Sequence, residues 1–244
     1  MPRHLLMRLE APLIAFGGET IDNYGVIRDF PALSMVTGLL ANALGYRREE
    51  SELHDRLQAR LLVGARLDRE IQRVREYQTA ELLENDQGWT TFAVPEGRAK
   101  SPSYSTQADG RKSLTWQRYR DYHASQNVLV ALRVEAAADS PTLDDLAQAL
   151  DRPARPLFIG RKTCLPSRRV FAGWHDAENV LAALQTAQLP DKARHLRVQW
   201  PEGEGILAGD RPLDLCDERN WMSGVHGGWR PVREGHFSLP GSPT

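Results

Sequence analysis

Residues 126–134, QNVLVALRV, carry the strongest strand signal in the chain. Every side chain from Val128 to Leu132 is apolar, and a short apolar run of this kind is typical of a buried β-strand. Two segments of similar character lie upstream, at His4–Leu9 and at Leu57–Leu67, which contains a Leu-Leu-Val run. We predict a strand at each of the three positions.

Helix signals alternate with these strands. Ser34 stands at a predicted helix start, and Gly45 ends that helix as a C-cap. Thr142 caps a second helix, which Pro153 stops. The remaining predicted elements are an amphipathic helix at Asp176–Gln188, short strands at Leu157–Ile159 and Val170–Ala172, and broken strands from Leu196 to Val232.

The order strand, helix, strand thus occurs twice, and this order indicates an α+β fold with a ferredoxin-like core. We assign residues 1–76 and 123–190 to that core and residues 191–244 to a small β-rich C-terminal segment and tail. Residues 77–122 separate the two halves of the core. They show weak periodicity and many Gly, Ser and Gln residues.

A segment of this length without a core is too long for an ordinary connection, so we interpret residues 77–122 as a functional projection or a disordered loop. Its middle, Gly97–Gly110, has few large apolar side chains. Burial there cannot offset the conformational entropy lost on ordering. We therefore expect residues 77–122, and this middle above all, to be poorly ordered in the isolated chain and to become ordered when a partner binds.

The composition is that of an ordinary water-soluble protein, with 244 residues, a net charge of -1 and 26% charged residues. No apolar stretch approaches the roughly 20 residues that span a bilayer, and charge interrupts the N-terminus too early for a signal peptide. We expect a cytoplasmic protein that binds no membrane and keeps Cys164 and Cys216 as reduced thiols. Common catalytic, cofactor and metal motifs are absent, so we predict no cofactor and no metal.

Two basic blocks stand out in this neutral chain. Arg98–Arg133 holds seven basic and two acidic residues, and Arg152–Arg169 holds six basic residues and no acidic one. Segregated charge of this kind forms a basic face that attracts nucleic acid. The alternative is that these arginines pair with acids distant in sequence.

Aromatic and basic side chains are interleaved at the end of the first block. Trp116, Tyr119 and Tyr122 alternate there with Arg118 and Arg120. Rings and guanidinium planes stack on splayed bases while the charges hold phosphates, so this pattern favours single-stranded nucleic acid. The alternative is a strand in which Trp116 and Tyr119 pack inward while Arg118, Arg120 and Tyr122 face solvent.

His123 follows this run and raises a catalytic alternative. A histidine beside a tyrosine and an arginine is a combination that cleaves RNA without metal, by moving the 2′-hydroxyl proton and stabilising the phosphorane charge. The other histidines are scattered singly.

Several motifs together resemble one family. An opening strand is followed by Pro and Gly, and Phe30-Pro31-x-x-Ser34-x-x-x-Gly38-Leu39-Leu40 enters the first helix. Tyr119-Arg120-Asp121-Tyr122 precedes the 126–134 strand, and Pro153-x-x-Pro156-Leu157-Phe158-Ile159-Gly160-Arg161-Lys162-x-Cys164-Leu165-Pro166 follows the second helix. In this order the motifs resemble the CasD family, a branch of the repeat-associated RNA-binding superfamily.

The resemblance implies a non-catalytic subunit of the type I-E CRISPR surveillance complex, Cascade. Such a subunit caps the 5′ handle of the guide RNA (crRNA) and contacts the backbone subunits and the large subunit that reads the PAM, so that it meets target DNA only indirectly. It also implies that the core is RNA-recognition-like and that residues 77–122 form a long thumb hairpin. Some type I-C relatives cut the guide precursor, so a metal-independent endoribonuclease that uses His123 is the alternative function.

With the basic blocks and the aromatic run, this resemblance yields a set of candidate RNA-binding residues. They are Tyr24, Arg28, Ser34, Arg111, Lys112, Arg118, Tyr119, Arg120, Tyr122, His123, Arg161, Lys162 and Arg168.

Overall fold

A computed structural model describes residues 1–18, 20, 22–83, 86–89, 95–96, 105–110, 112–190 and 195–238. The helices of this part are α1 (Leu33–Leu44), α2 (Ser51–Arg60), α3 (Leu143–Asp151) and α4 (Val180–Thr186). The strands up to residue 106 are β1 (Arg3–Glu10), β2 (Leu13–Ile14), β3 (Tyr24–Gly25), β4 (Leu61–Leu67), β5 (Arg73–Leu83), β6 (Gly88–Trp89), β7 (Pro95–Glu96) and β8 (Ser105–Thr106). The later strands are β9 (Lys112–Ala124), β10 (Asn127–Val134), β11 (Phe171–Asp176), β12 (His195–Pro201), β13 (Arg211–Leu215) and β14 (Arg230–Ser238).

The chain is a mixed α+β protein that divides into two compact units. The first unit comprises Met1–Gly18, Ile27–Val74 and Tyr122–Thr244. Its seven-stranded sheet has the order β11-β1-β10-β4-β12-β14-β13, and neighbouring strands in it are antiparallel. The predicted assignment of the chain to α+β is therefore confirmed.

The 126–134 run forms β10 and explains why this sheet has two cores. Val128, Val130 and Leu132 are buried in one apolar cluster, together with residues of α1 and α3. Leu129 and Ala131 are buried in the other, together with residues of α4. A strand covered on both faces needs apolar side chains at successive positions, which is the pattern seen in the sequence.

The predicted end of α1 and the predicted cap of α3 are confirmed, whereas α1 begins at Leu33, one residue before the predicted Ser34, and its N-cap is Ala32. Gly45 follows α1 in the left-handed conformation, with φ 87°. The Thr142 hydroxyl accepts a hydrogen bond from the Asp145 N–H, and the Asp145 carboxylate accepts one from the Thr142 N–H. This reciprocal capping box satisfies backbone donors that the helix leaves unpaired.

Three sequence predictions are wrong in their extent. The strand predicted at Leu57–Leu67 begins only at Leu61, because residues 57–60 end the polar helix α2. No strand forms at Leu157–Ile159, where the Ile159 N–H donates to the Cys164 carbonyl in a local turn rather than to a neighbouring strand. The helix predicted at Asp176–Gln188 is confined to α4, because Asp176 ends β11 and Asn179 supplies the N-cap.

The second unit comprises Glu19–Val26 and Arg75–Asp121. Within it β3 pairs with β9 in parallel, at Tyr24 opposite Tyr119, while β8 pairs with β9 antiparallel. Strand β5 also pairs with β9, and β6 pairs with β7. Residues 97–104 lie outside the described part of the chain, so the predicted ordering of Gly97–Gly110 on binding stays a prediction.

Both cysteines are free thiols, as predicted, and Cys164 is buried. Within the described ranges, no helix has the length and apolar composition needed to cross a bilayer.

Candidate nucleic-acid interface

Three tyrosine rings form a row in the second unit, with Tyr119 of β9 in the middle. The Tyr24 and Tyr119 ring centroids are 5.0 Å apart and the rings are 12° from parallel. The Tyr77 ring lies 5.1 Å from Tyr119 at 36°. Tyr24 is 43% exposed and Tyr77 is 52% exposed. We call these three residues the aromatic row, which ends in two accessible rings.

Arginines accompany the aromatic row. The Arg75 guanidinium Cζ is 5.6 Å from the Tyr24 ring centroid, and its Nε and Nη2 donate to the two carboxylate oxygens of Asp121 at 2.6 and 3.0 Å. Further along β9, the Cζ of Arg118 is 5.2 Å from the centroid of Trp116, whose ring is 48% exposed. A paired, planar guanidinium beside an exposed ring is an arrangement suited to bases and phosphates.

Strand β9 decides between the two sequence interpretations of residues 116–122. Trp116 is exposed, Arg118, Tyr119 and Arg120 are half-buried, and Tyr122 is buried. The strand alternative, with Trp116 inward and Tyr122 in solvent, is therefore wrong. Arg120 makes no ion pair with any described residue.

A second basic feature is the turn 160–164 of the first unit. Gly160 has φ 85°, and the Cys164 N–H donates to the Arg161 carbonyl at 2.9 Å. The Arg161 Cζ lies 4.6 Å from the centroid of the Tyr122 ring, so part of this cation is packed on an aromatic face. Lys162 is exposed at the tip of the turn.

The acid-free block is partly neutralised by acids distant in sequence. Arg168 Nε lies 3.5 Å from a Glu10 carboxylate oxygen, and Arg169 pairs with Asp151. Both the basic-surface interpretation and the pairing alternative therefore hold in part. Lys162 makes no ion pair within the described ranges.

Three candidate RNA-binding side chains are buried. Ser34 is 7% exposed, Tyr122 is 3% exposed and His123 is 0% exposed. The Ser34 hydroxyl lies 3.3 Å from His226 Nε2. These side chains contact protein, so their contribution to a binding surface is to support neighbouring residues. Direct RNA contact through them would need the fold to open.

The other candidates lie at separate places. Arg28 donates from Nη2 to the Cys216 carbonyl at 2.9 Å in the first unit. Arg111 lies outside the described part of the chain, and the same holds for the side chain of Lys112, whose backbone begins β9.

Sequence reasoning missed Arg75 and Tyr77, which β5 brings beside β9. The signal was present as an alternation of Arg73, Arg75 and Tyr77 at the period of a strand.

No group of three or more His, Cys, Asp or Glu side chains within the described ranges is placed to hold a metal ion.

His123 and His4 make the stability of the fold depend on pH. Burial lowers the pKa of each imidazole below its usual value of about 6.5, and the nearby Arg133 charge lowers that of His4 further. The unfolded chain then binds protons more readily, so the stabilisation is complete above about pH 6.5 and is lost as the pH falls below it.

We expect the free energy of unfolding to fall between pH 6.5 and 5, with a slope of at most about 1.4 kcal/mol per pH unit for each histidine. The variant His123→Gln keeps a donor for the Arg28 carbonyl, 2.8 Å from His123 Nε2, and should flatten that slope. The exposed His236→Gln is the control. Urea titrations at a series of pH values test this, and parallel slopes in His123→Gln and His236→Gln would contradict it.

Known proteins of solved structure are similar to this chain in fold. A solved structure described as "CRISPR RNA-guided surveillance complex" is 21% identical, covers 98% of this chain and 91% of its own, and has a TM-score of 0.72. Another, described as "Crystal structure of Cas protein", is 24% identical, with coverages of 96% and 95% and a TM-score of 0.58. At these identities the likeness is one of fold.

Sequence similarity gives the family. The Escherichia coli (strain K12) protein "CRISPR system Cascade subunit CasD" is 24% identical over 184 residues, which are 75% of this chain and 76% of that protein. The family described as "CRISPR-associated protein (Cas_Cas5)" matches residues 4–233. The chain therefore belongs to the Cas5 family of CRISPR-associated proteins and is of the CasD type.

Proposed function

We propose that this protein is a non-catalytic, cytoplasmic subunit of a type I-E CRISPR surveillance complex that caps the 5′ handle of the crRNA. In this proposal it contacts the backbone subunits and the large PAM-reading subunit and meets target DNA only through them. The observation that carries the proposal is the aromatic row with its arginines. The E. coli relative is named as a Cascade subunit, which supports the same assignment.

Stacking explains why this arrangement suits a handle of single-stranded RNA. Two exposed tyrosine rings offer flat faces to unpaired bases, and Arg75 and Arg118 lie beside exposed rings. Such contacts are tolerant of base identity and are strengthened by phosphate attraction.

The strand order supports a ferredoxin-like core as part of the proposal. Strands β1, β4, β10 and β11 follow one another in this order along the chain. In the sheet their order is β11-β1-β10-β4, so the fourth strand lies beside the first and the third lies between the first and the second. All these pairings are antiparallel, and helices follow the first and third strands. The long segment between β4 and β10, which contains β5 and β9, would then be the thumb.

The burial of His123 supports a non-catalytic role. A general base must come within hydrogen-bond reach of the proton it removes. His123 is fully buried, its Nε2 is 2.8 Å from the Arg28 carbonyl oxygen, and its ring lies against Phe16. A repeat RNA incubated with the purified chain and a chelator should therefore remain intact, and cleavage that His123→Gln abolishes would establish the endoribonuclease alternative.

Truncating the accessible rings tests the proposal directly. We expect Tyr24→Leu with Tyr77→Leu to weaken binding of handle RNA by about 10- to 100-fold, since base stacking contributes roughly 1–3 kcal/mol per base. Fluorescence anisotropy at one fixed salt concentration measures the change. The matched control is Tyr24→Phe with Tyr77→Phe, which keeps both rings and should bind within about twofold of the original protein. Equal binding by the leucine and phenylalanine pairs would refute the proposal.

The exposed Lys162 should contribute one phosphate contact. We expect Lys162→Ala to reduce the slope of log K against log salt by about 0.7, the value for one phosphate on a single strand. Lys162→Arg keeps the charge and should keep the slope. Anisotropy titrations over a range of salt concentrations check this, and an alanine variant with an unaltered slope would remove Lys162 from the RNA-binding surface.

A further inference from the structure

A cleft of about 310 Å³ in the first unit is lined by both apolar side chains and arginines. The apolar lining includes the half-buried Leu213 and Leu215 and the buried Phe30. The basic lining consists of Arg28, Arg73, Arg197 and Arg211. A second cavity shares Arg197 and Arg211 with the first and extends past them to His236. The size is within the range of roughly 300–1,000 Å³ found for small-molecule sites.

The arginines are held in place by two carboxylates. Asp29 accepts hydrogen bonds from Arg73 at 2.6 Å and from Arg197 at 2.9 Å. Glu234 accepts from Arg197 at 2.9 Å and from Arg211 at 3.3 Å. Burial by itself would raise the pKa of the Asp29 carboxyl, but the hydrogen bonds from Arg73 and Arg197 lower that pKa below its usual value, so Asp29 is charged at neutral pH.

The charges of the cleft do not cancel. Its third acid, Asp217, is engaged by Arg230, which donates to both carboxylate oxygens at 3.1 and 2.6 Å and does not line the cleft. Asp29 and Glu234 therefore remain against Arg73, Arg197 and Arg211, the three arginines that they bind. The cleft carries an excess of positive charge at a place that is partly shielded from water.

The two outer arginines have donors to spare. The side chains of Arg73 and Arg211 are 52% and 66% exposed, and each makes one ion pair, through Nη2, with a described residue. A guanidinium has five N–H donors, so both can also bind a phosphate oxygen while the carboxylates keep them oriented. The Cζ of Arg197 lies 5.3 Å from the centroid of the Phe30 ring, so the basic and the apolar lining residues are in contact there.

We propose that this cleft binds one nucleotide, with the phosphate on Arg73, Arg197 and Arg211 and the base against Leu213 and Leu215. The residues all belong to the first unit and none is part of the aromatic row. For a free nucleotide the inference goes beyond the proposed function, and for a nucleotide of an RNA strand it rests on that function. The nucleotide is either free or one residue of an RNA strand, and the test separates these two sources.

The first arm uses the full chain, uridine 5′-monophosphate and isothermal titration calorimetry. We expect binding that Arg73→Gln with Arg211→Gln weakens about tenfold or more, because charge-assisted hydrogen bonds to phosphate are lost. Arg69→Gln is the matched control, since Arg69 is exposed in the same unit and, among the residues that the structure describes, donates only to the Ser125 carbonyl. Undiminished binding by the double variant, or inorganic phosphate binding as tightly as the nucleotide, overturns the proposal.

The second arm uses a short oligouridylate that carries 4-thiouridine. A photocrosslink to a peptide containing Phe30 or Leu213, lost in the double variant and kept in Arg69→Gln, supports the site with an RNA strand as the source, even where the mononucleotide does not bind. Absence of both mononucleotide binding and this crosslink overturns the proposal. The variants Tyr24→Leu and Tyr77→Leu leave the cleft intact, so failure of the proposed function and failure of this site give different results.

Discussion

Replacing Gly160 with alanine should lower the free energy of unfolding by about 3 kcal/mol or more. A Cβ on Gly160 would lie 1.7 Å from the carbonyl oxygen of Ala15 and 2.8 Å from its carbonyl carbon. These are backbone atoms, which move only at high cost. Gly160 also has φ 85°, a conformation that L side chains rarely adopt.

Gly203→Ala is a matched control that separates the two causes. Gly203 has φ 86°, but a Cβ there would meet nothing within 4 Å. Its replacement should therefore cost only the conformational part, about 1 kcal/mol. Urea unfolding of the two variants measures the difference, and equal losses would show that the chain around Ala15 yields to the added methyl group. Because Lys162 lies in the turn that Gly160 opens, the Gly160 variant should also bind RNA more weakly.

Replacing Arg66 with methionine should cost about 3–5 kcal/mol of stability, since three buried carbonyls lose their donor and Asp68 keeps only one of its two cationic partners. Arg66 is fully buried in β4. All of its N–H groups donate hydrogen bonds. Nε, at 2.6 Å, and Nη2 donate to the Asp68 carboxylate, and Nη1 and Nη2 donate to the carbonyls of Leu184, Ala187 and Gln188. The three carbonyls lie at and just beyond the end of α4, so Arg66 also satisfies acceptors that a helix leaves unpaired.

Arg8→Met is the comparison that isolates this effect. Arg8 pairs with the same Asp68 carboxylate, but it is partly exposed, and within the described part of the chain its only other side-chain acceptor is Asn127 Oδ1, at 3.1 Å. Its loss should cost about 1–2 kcal/mol, because no helix end loses a partner and water reaches the site. Chemical denaturation with unchanged m-values tests the ranking. A loss in Arg66→Met no larger than in Arg8→Met would show that the α4 carbonyls find other donors.

Local signals predicted most of the elements. The apolar run at 126–134 and the caps at Thr142 and Gly45 act within a few residues, so they survive whatever the rest of the chain does. The prediction failed at Leu57, where helix α2 passes directly into β4 without a breaker residue. Periodicity cannot place a boundary that no Gly or Pro marks.

The sequence likewise predicted only part of the candidate site. Alternation of aromatic and basic residues predicted that β9 would present rings and guanidinium groups, and Trp116, Tyr119 and Arg118 do so. Tyr122 is instead buried. Its ring lies under Arg161, a residue of the same unit that is distant in sequence. Likewise the pairing of Arg168 with Glu10 is invisible to a count of charges along the chain.

By itself, the sequence determined the α+β class, the buried central strand, the free thiols and the concentration of arginine and tyrosine before residue 123. Only the tertiary structure decided that Tyr24, Tyr77 and Tyr119 stack in one row, and that Arg73, Arg197 and Arg211 meet around one cleft. The physical reason is that strand register and sheet order bring together residues from distant segments. Periodicity and capping act over a single turn or strand and carry no information about that order.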